Sequence, residues 1–165
     1  KNDSLLCTLY GALGEYAANI DADYYQAIQW IYKGIELAQV NRHKQQYGLL
    51  LSQLANTYYL KRDGNGLKYA LECYELGCEL QDNYLTYSGA IQSAYMYFLN
   101  KQHTQAMAYV QEAEVLMKQN NFYDQAHTFN LLGQLLDELG NYPQAMEYYQ
   151  KAMKDKQTSQ TTSVA

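Results

Sequence analysis

The chain has 165 residues, of which 48% are hydrophobic and 18% charged, so it is long enough for one domain with a buried core and too apolar for a disordered segment. Its formal net charge of −5 argues against direct nucleic-acid binding, which needs a basic surface. The three cysteines are not spaced as a zinc site or a disulfide framework. They are interpreted as small buried residues, and no metal or cofactor is predicted.

The two ends of the sequence have the character of a module cut from a longer protein. The chain begins at Lys1 without a signal peptide, and no apolar stretch approaches the roughly 18 residues of a membrane span. Free cysteines favour a reducing compartment, so we expect a cytoplasmic location unless a signal peptide precedes Lys1 in the natural protein. We predict a single domain at residues 1–156. Residues 157–165 are polar and have no apolar period, which predicts a disordered tail or an artificial end of the chain.

Four similar stretches follow one another along the chain, and each contains two predicted helices. The second helix of each has Ala, a large residue four positions later, and a small residue three positions after that. Because these offsets fall on one helix face, a neighbouring helix can approach that face closely. In chain order the members are Ala27, Ile31, Gly34; Ala70, Tyr74, Gly77; Ala106, Val110, Ala113; and Ala145, Tyr149, Ala152.

The first helix of each stretch has a different pattern, in which a small residue follows Leu or Ser. The pairs are Leu13-Gly14, Leu54-Ala55, Ser93-Ala94 and Leu132-Gly133. Turn-forming residues at 21–23, 63–66, 100–102 and 140–143 separate the two helices. Pro143, the single proline, falls in the first turn of the last helix, where its missing N–H is tolerated.

These patterns resemble the tetratricopeptide repeat, whose first helix carries Leu-Gly and whose second carries Ala, an aromatic residue and Ala. The resemblance covers roughly residues 7–156 and is closest from Phe129 to Ala152. It implies an all-α, right-handed superhelical solenoid of about four repeats, approximately at 7–47, 48–86, 87–125 and 126–156. The key alanines are 43, 36 and 39 residues apart instead of the family's 34, which resembles long-armed variants in bacterial regulators and sensors. The alternative architecture is another array of helix pairs, such as HEAT.

The resemblance places the first helices on the concave face of the solenoid. The predicted protein- or peptide-binding residues there are Gln53, Asn56, Tyr59, Gln92, Tyr95, His127, Asn130 and Gln134. The same register adds Glu15, Asn19, Leu49, Ser52, Ser88, Ile91, Leu99, Leu131 and Asp137. None of these is Lys or Arg, which argues against a clamp for a C-terminal carboxylate. Amides both donate and accept hydrogen bonds, and Tyr supplies contact area, so the pattern favours an extended, uncharged peptide.

No nucleophile–base pair and no metal-like spacing of histidines is present, so no enzymatic activity is predicted. We expect a protein- or peptide-binding scaffold module, the sensing or interaction part of a larger bacterial regulatory protein. The alternative is a structural spacer, or a self-association platform that uses its end surfaces and has no groove ligand. That alternative rests on Met146, Tyr149 and Met153, which the last helix leaves without a covering repeat.

Overall fold

The computed structural model describes residues 2–120, 122 and 125–162, with side chains as far as residue 155, and it has no β-strand in that part. The helices are α1 (Asn2–Asn19), α2 (Tyr24–Val40), α3 (Lys44–Leu60), α4 (Leu67–Leu80), α5 (Asn83–Leu99), α6 (His103–Asn120), α7 (Ala126–Glu138) and α8 (Tyr142–Thr162), and a short 3-10 turn, Gly64–Gly66, precedes α4. The predicted all-α class and the fourfold pairing of helices are confirmed.

Two boundaries and the tail differ from the sequence-based expectation. α3 begins at Lys44 and α5 at Asn83, each four residues before the predicted repeat boundary. α8 continues to Thr162, so residues 157–162 are helical instead of a disordered tail, whereas 163–165 lie outside the described residues. The segment 144–162 contains no Gly and no Pro, and lengthening an existing helix adds one hydrogen bond for each residue fixed.

Five of the described turns end the preceding helix in the same way. In each, one residue has a left-handed backbone: Arg42, Arg62, Gln81, Lys101 and Gly140. The next residue donates its N–H to the carbonyl five residues back, as His43 does to Ala38 at 2.8 Å. Such Schellman caps satisfy the last carbonyls of a helix. These helices therefore end without a proline at their C-terminal ends.

The eight helices form two layers. The inner layer consists of α1, α3, α5 and α7, each of which contacts the next member of the layer. The outer layer consists of α2, α4, α6 and α8, and over the described residues no Cα of one outer helix lies within 8 Å of another outer helix. Because the backbones of successive inner helices lie closer together than those of successive outer helices, the array curves with the inner layer on its concave side.

Hydrogen bonds from tyrosine side chains join successive outer helices across this wider spacing. The Tyr32 and Tyr69 hydroxyl oxygens, on α2 and α4, are 2.6 Å apart. Tyr74 on α4 donates to Glu112 on α6 at 2.7 Å. Tyr148 on α8 donates to Glu114 on α6 at 3.3 Å. Some of the many tyrosines of the chain therefore stabilise the packing of its own helices and are not reserved for a partner.

The faces of the outer helices that carry small residues are buried, as predicted. Ala27, Ala70 and Ala106 have no exposed surface, and Ala145 is also buried. The closest approach lies between α4 and α5, where a Cβ added to Gly89 would stand 2.5 Å from the Tyr74 Cα. Glycine is thus required for two backbones to come this close.

The cysteines are divided between the core and the surface. Cys7 and Cys73 are buried, in agreement with their interpretation as small core residues, whereas Cys78 is exposed, so the interpretation is wrong there. Cys78 comes one position after Gly77, which packs against the backbone of Thr86 on α5. One step along a helix turns the side chain by about 100°, away from this contact.

Candidate protein-binding face

The predicted binding residues lie on three successive helices of the inner layer. Gln53, Asn56 and Tyr59 belong to α3, Gln92 and Tyr95 to α5, and His127, Asn130 and Gln134 to α7. His127 is exposed and the other seven are half-buried. Whether they bind a partner stays a prediction, but all of them have surface that a partner can contact.

One row of the predicted groove is covered. Ser52, Ile91 and Leu131 are buried, so the prediction that they line an open groove is wrong. Neighbouring inner helices pack so closely that this row faces the next helix instead of solvent. The Ser52 and Ser88 hydroxyl oxygens, for example, are 2.6 Å apart between α3 and α5.

An aromatic contact connects the three helices on the open side. The ring centroids of Tyr59 and Tyr95 are 4.7 Å apart. The Tyr95 hydroxyl donates to the backbone carbonyl of His127 at 3.2 Å. Burial raises the pKa of Tyr59, while the positive charge of Arg62 opposes that shift. These contacts form a continuous neutral surface from α3 to α7.

Gln53 and Gln92 occupy equivalent positions, each two residues before the small residue of the first-helix pattern. In both, the side-chain carbonyl oxygen is buried without a hydrogen-bond partner. In Gln53 that oxygen packs against Gly11 of α1, where any side chain would collide with it. If the amide group were turned by 180°, its nitrogen would occupy this buried position, and its two N–H donors would lack acceptors there. The orientation with the oxygen buried is therefore the more favourable one. The amide nitrogens are therefore the ends available to a partner.

A small pocket opens beside Gln53, between α1 and α3. Its volume is about 60 Å³, and it is lined by Cys7, Thr8, Gly11, Gln46, Leu49, Leu50 and Gln53. A water molecule needs roughly 10–15 Å³ of such space, so the pocket has room for a short side chain. Sequence reasoning missed the residues from α1 in this pocket. Gly11, a glycine inside a helix and three residues before Gly14, was the available signal.

The open face carries little positive charge. Lys44 is the single Lys or Arg in α3, α5 and α7, and it lies at the start of α3. Its Nζ is 2.6 Å from Glu79 of α4. The face is consequently suited to neutral groups more than to carboxylates or phosphates.

Two further findings concern the described residues. They contain no group of three or more His, Cys, Asp and Glu side chains arranged to hold a metal ion. None of the described helices combines the length and the apolar character that crossing a membrane requires.

Comparison with known proteins agrees with the helix pairing. Residues 85–157, which run from α5 into α8, match the family model described as Tetratricopeptide repeat. No curated protein matches the chain. Paired helices in two layers, with small residues at each crossing, define the protein as a helical-repeat solenoid. Residues 85–157 are thus similar to the tetratricopeptide-repeat family. Domains of this family are non-catalytic scaffolds that in general mediate protein–protein interaction.

Proposed function

We propose that the inner face binds an extended, uncharged segment of a protein or peptide. The contacts are Gln53, Asn56, Tyr59, Gln92, Tyr95, His127, Asn130 and Gln134. The observation that carries the proposal is the pair of equivalent glutamines, Gln53 and Gln92, each of which has its amide oxygen buried. That arrangement leaves amide donors on successive inner helices, where they can bond the backbone carbonyls of an extended chain.

The surroundings of these amides support a neutral ligand. Tyr59 and Tyr95 provide apolar ring surface next to them. The pocket beside Gln53 is lined mainly by apolar groups and accepts one short aliphatic side chain of the peptide. Lys44, the one basic residue of α3, α5 and α7, is paired with Glu79 and does not attract an acidic ligand.

The proposal extends to the biological setting that the resemblance implies. The domain acts as the sensing or interaction part of a larger bacterial regulatory protein, and partner binding on the inner face is the signal that it relays. The spacings of the key alanines, all above the family's 34 residues, support this, because long-armed repeats of this kind resemble those in bacterial regulators and sensors.

The test is a peptide array of neutral, extended sequences, followed by titration of the peptides that bind. Losing one hydrogen bond costs about 1 kcal/mol, so Asn56→Ala combined with Asn130→Ala should weaken binding roughly thirtyfold. Affinity should change little with salt concentration, because screening acts mainly on charge pairs.

The matched control is Gln111→Ala with Gln150→Ala, which removes two exposed amides from outer helices. This control should bind with unchanged affinity. Equal affinity of the Asn56/Asn130 variant and the native chain would show that the inner face is not the site. A strong decrease of affinity with salt would indicate a charged ligand instead.

A further inference from the structure

The first helix carries a stripe of exposed apolar side chains. Leu5, Leu9, Leu13, Tyr16 and Ile20 are all exposed, with Leu6 beside them. Their spacings of three and four residues place them along one side of α1. None is charged, so this side of α1 is an apolar surface without a partner in the described structure.

At the three central positions of this stripe, those of Leu9, Leu13 and Tyr16, the corresponding residues of the other three inner helices are buried. With the small residue of each first-helix pattern as reference, Leu9 corresponds to Leu50, Gly89 and Thr128, and Tyr16 corresponds to Thr57, Met96 and Leu135. Leu9 is 51% exposed whereas Leu50 is 2% exposed, and Tyr16 is 58% exposed whereas Thr57 is 1% exposed. The centre of the stripe on α1 is therefore the face that each later repeat buries, whereas the position of Ile20 is exposed in the later inner helices, at Lys61, Asn100 and Leu139.

An outer helix of the preceding pair covers this face in the later repeats. Leu50 of α3 packs against Gly34 of α2, because a Cβ on Gly34 would lie 3.0 Å from a Leu50 methyl carbon. Gly89 of α5 likewise packs against the backbone of Tyr74 on α4. The partner that fits α1 is thus an antiparallel helix with the outer-helix pattern.

Among the described helices, α8 is the outer helix that no described inner helix follows. Met146 and Met153 of α8 correspond to Ile28 and Ile35 of α2, counted from the reference alanine of each helix. Ile35 is buried against α3, whereas Met153 is 63% exposed and Met146 is 58% exposed. Met153 thus has the position at which α2 packs on the following inner helix, whereas the corresponding residue of α4, Cys78, is exposed.

We propose that the chains associate head to tail, with α8 of one copy packed on α1 of the next. The contact continues the interface that already joins α2 to α3 and α4 to α5 in each chain. In the antiparallel register of the α4–α5 contact, in which the Tyr74 backbone meets Gly89, Tyr149 faces Leu9 and Met153 faces Leu5. Because the two surfaces are different, the association does not close at a dimer and adds copies as concentration rises.

Sedimentation velocity over a concentration series tests this association. The average mass of the native chain should rise with concentration beyond that of two chains. Leu9→Glu places a charge in the α1 surface and Met153→Glu places one in the α8 surface, and a buried unpaired charge opposes association. Each variant alone should stay at the mass of one chain.

An equal mixture of the two variants gives the decisive result. Leu9→Glu retains an intact α8 surface and Met153→Glu retains an intact α1 surface, so the mixture should form particles of two chains and no larger ones. Val115→Glu, on the exposed side of α6, is the matched control and should associate as the native chain does. Circular dichroism confirms that each variant is folded.

Three outcomes would overturn the proposal. Native chains that stay single at every concentration would mean that a different helix covers α1. Pairs formed by Met153→Glu alone would indicate α1 packed on α1. A mixture that stays at one chain, or a control that also fails to associate, would show that the two end surfaces do not recognise each other.

Discussion

Individual glycines differ in what a methyl group would contact, and this difference predicts unequal effects on stability. At Gly89 the added carbon meets backbone atoms of Tyr74 in α4, and at Gly133 it meets the Tyr149 ring at 2.6 Å. Overpacking costs about 1–3 kcal/mol, whereas Ala in place of Gly within a helix contributes about 1 kcal/mol to stability.

We expect Gly89→Ala to lower the free energy of unfolding by about 2 kcal/mol, because the backbone of α4 cannot move aside. Gly133→Ala should change it by less than about 1 kcal/mol, because the half-buried Tyr149 ring can turn away. Urea unfolding of both variants measures the difference. Equal losses would contradict this view of the α4–α5 crossing.

At the scale of the elements, the tyrosine hydrogen bonds between outer helices lead to a second prediction. Tyr74→Phe keeps the ring and removes the hydrogen bond to Glu112. A hydrogen bond of this kind contributes about 1 kcal/mol, so the free energy of unfolding should fall by roughly that amount. Tyr25→Phe, at a residue 75% exposed, is the control and should have no effect. Denaturant midpoints that coincide for the two variants would show that the bridge does not stabilise the array.

The elements also show how far the sequence could predict this structure. The buried faces of the outer helices were predictable, because Ala27, Ala70, Ala106 and Ala145 recur with partners at helical spacing. The burial of Ser52, Ile91 and Leu131 was not predictable, since it depends on the distance between neighbouring inner helices, which no local pattern records.

The pocket at Gly11 was also beyond a sequence-based prediction, because it lies between two helices, α1 and α3, that are far apart in the chain. The helical extension of α8 was missed because polar composition lacks an apolar period but does not itself end a helix.

For the whole molecule, one buried thiol and three half-buried tyrosines predict a loss of stability in alkali. Burial, together with neighbouring hydroxyl and carboxylate groups, raises the pKa of Tyr47, Tyr58 and Tyr69 to about 12 from an ordinary value of 10.0. Burial raises the pKa of the Cys73 thiol from 9.0 to about 12. The unfolded chain therefore releases these protons at lower pH than the folded chain does.

The free energy of unfolding should be constant with respect to these groups below about pH 9 and should fall as the pH rises toward about 12. Melting temperatures over a pH series measure the decline. Tyr47→Phe removes one contributor, so its decline should be shallower than that of the native chain. A melting temperature that stays constant up to about pH 12 would contradict the raised pKa values.

The two-layer construction has a mechanical consequence. If the array bends more strongly, its outer helices move apart and pull on Tyr32, Tyr74 and Tyr148, so these side chains act as tethers that limit bending. If it straightens, the inner helices lose contact, so their packing acts as the pivot. A ligand that spans α3, α5 and α7 fixes the angle at both pivots at once. Binding on the proposed inner face would in that case also set the distance between α1 and α8.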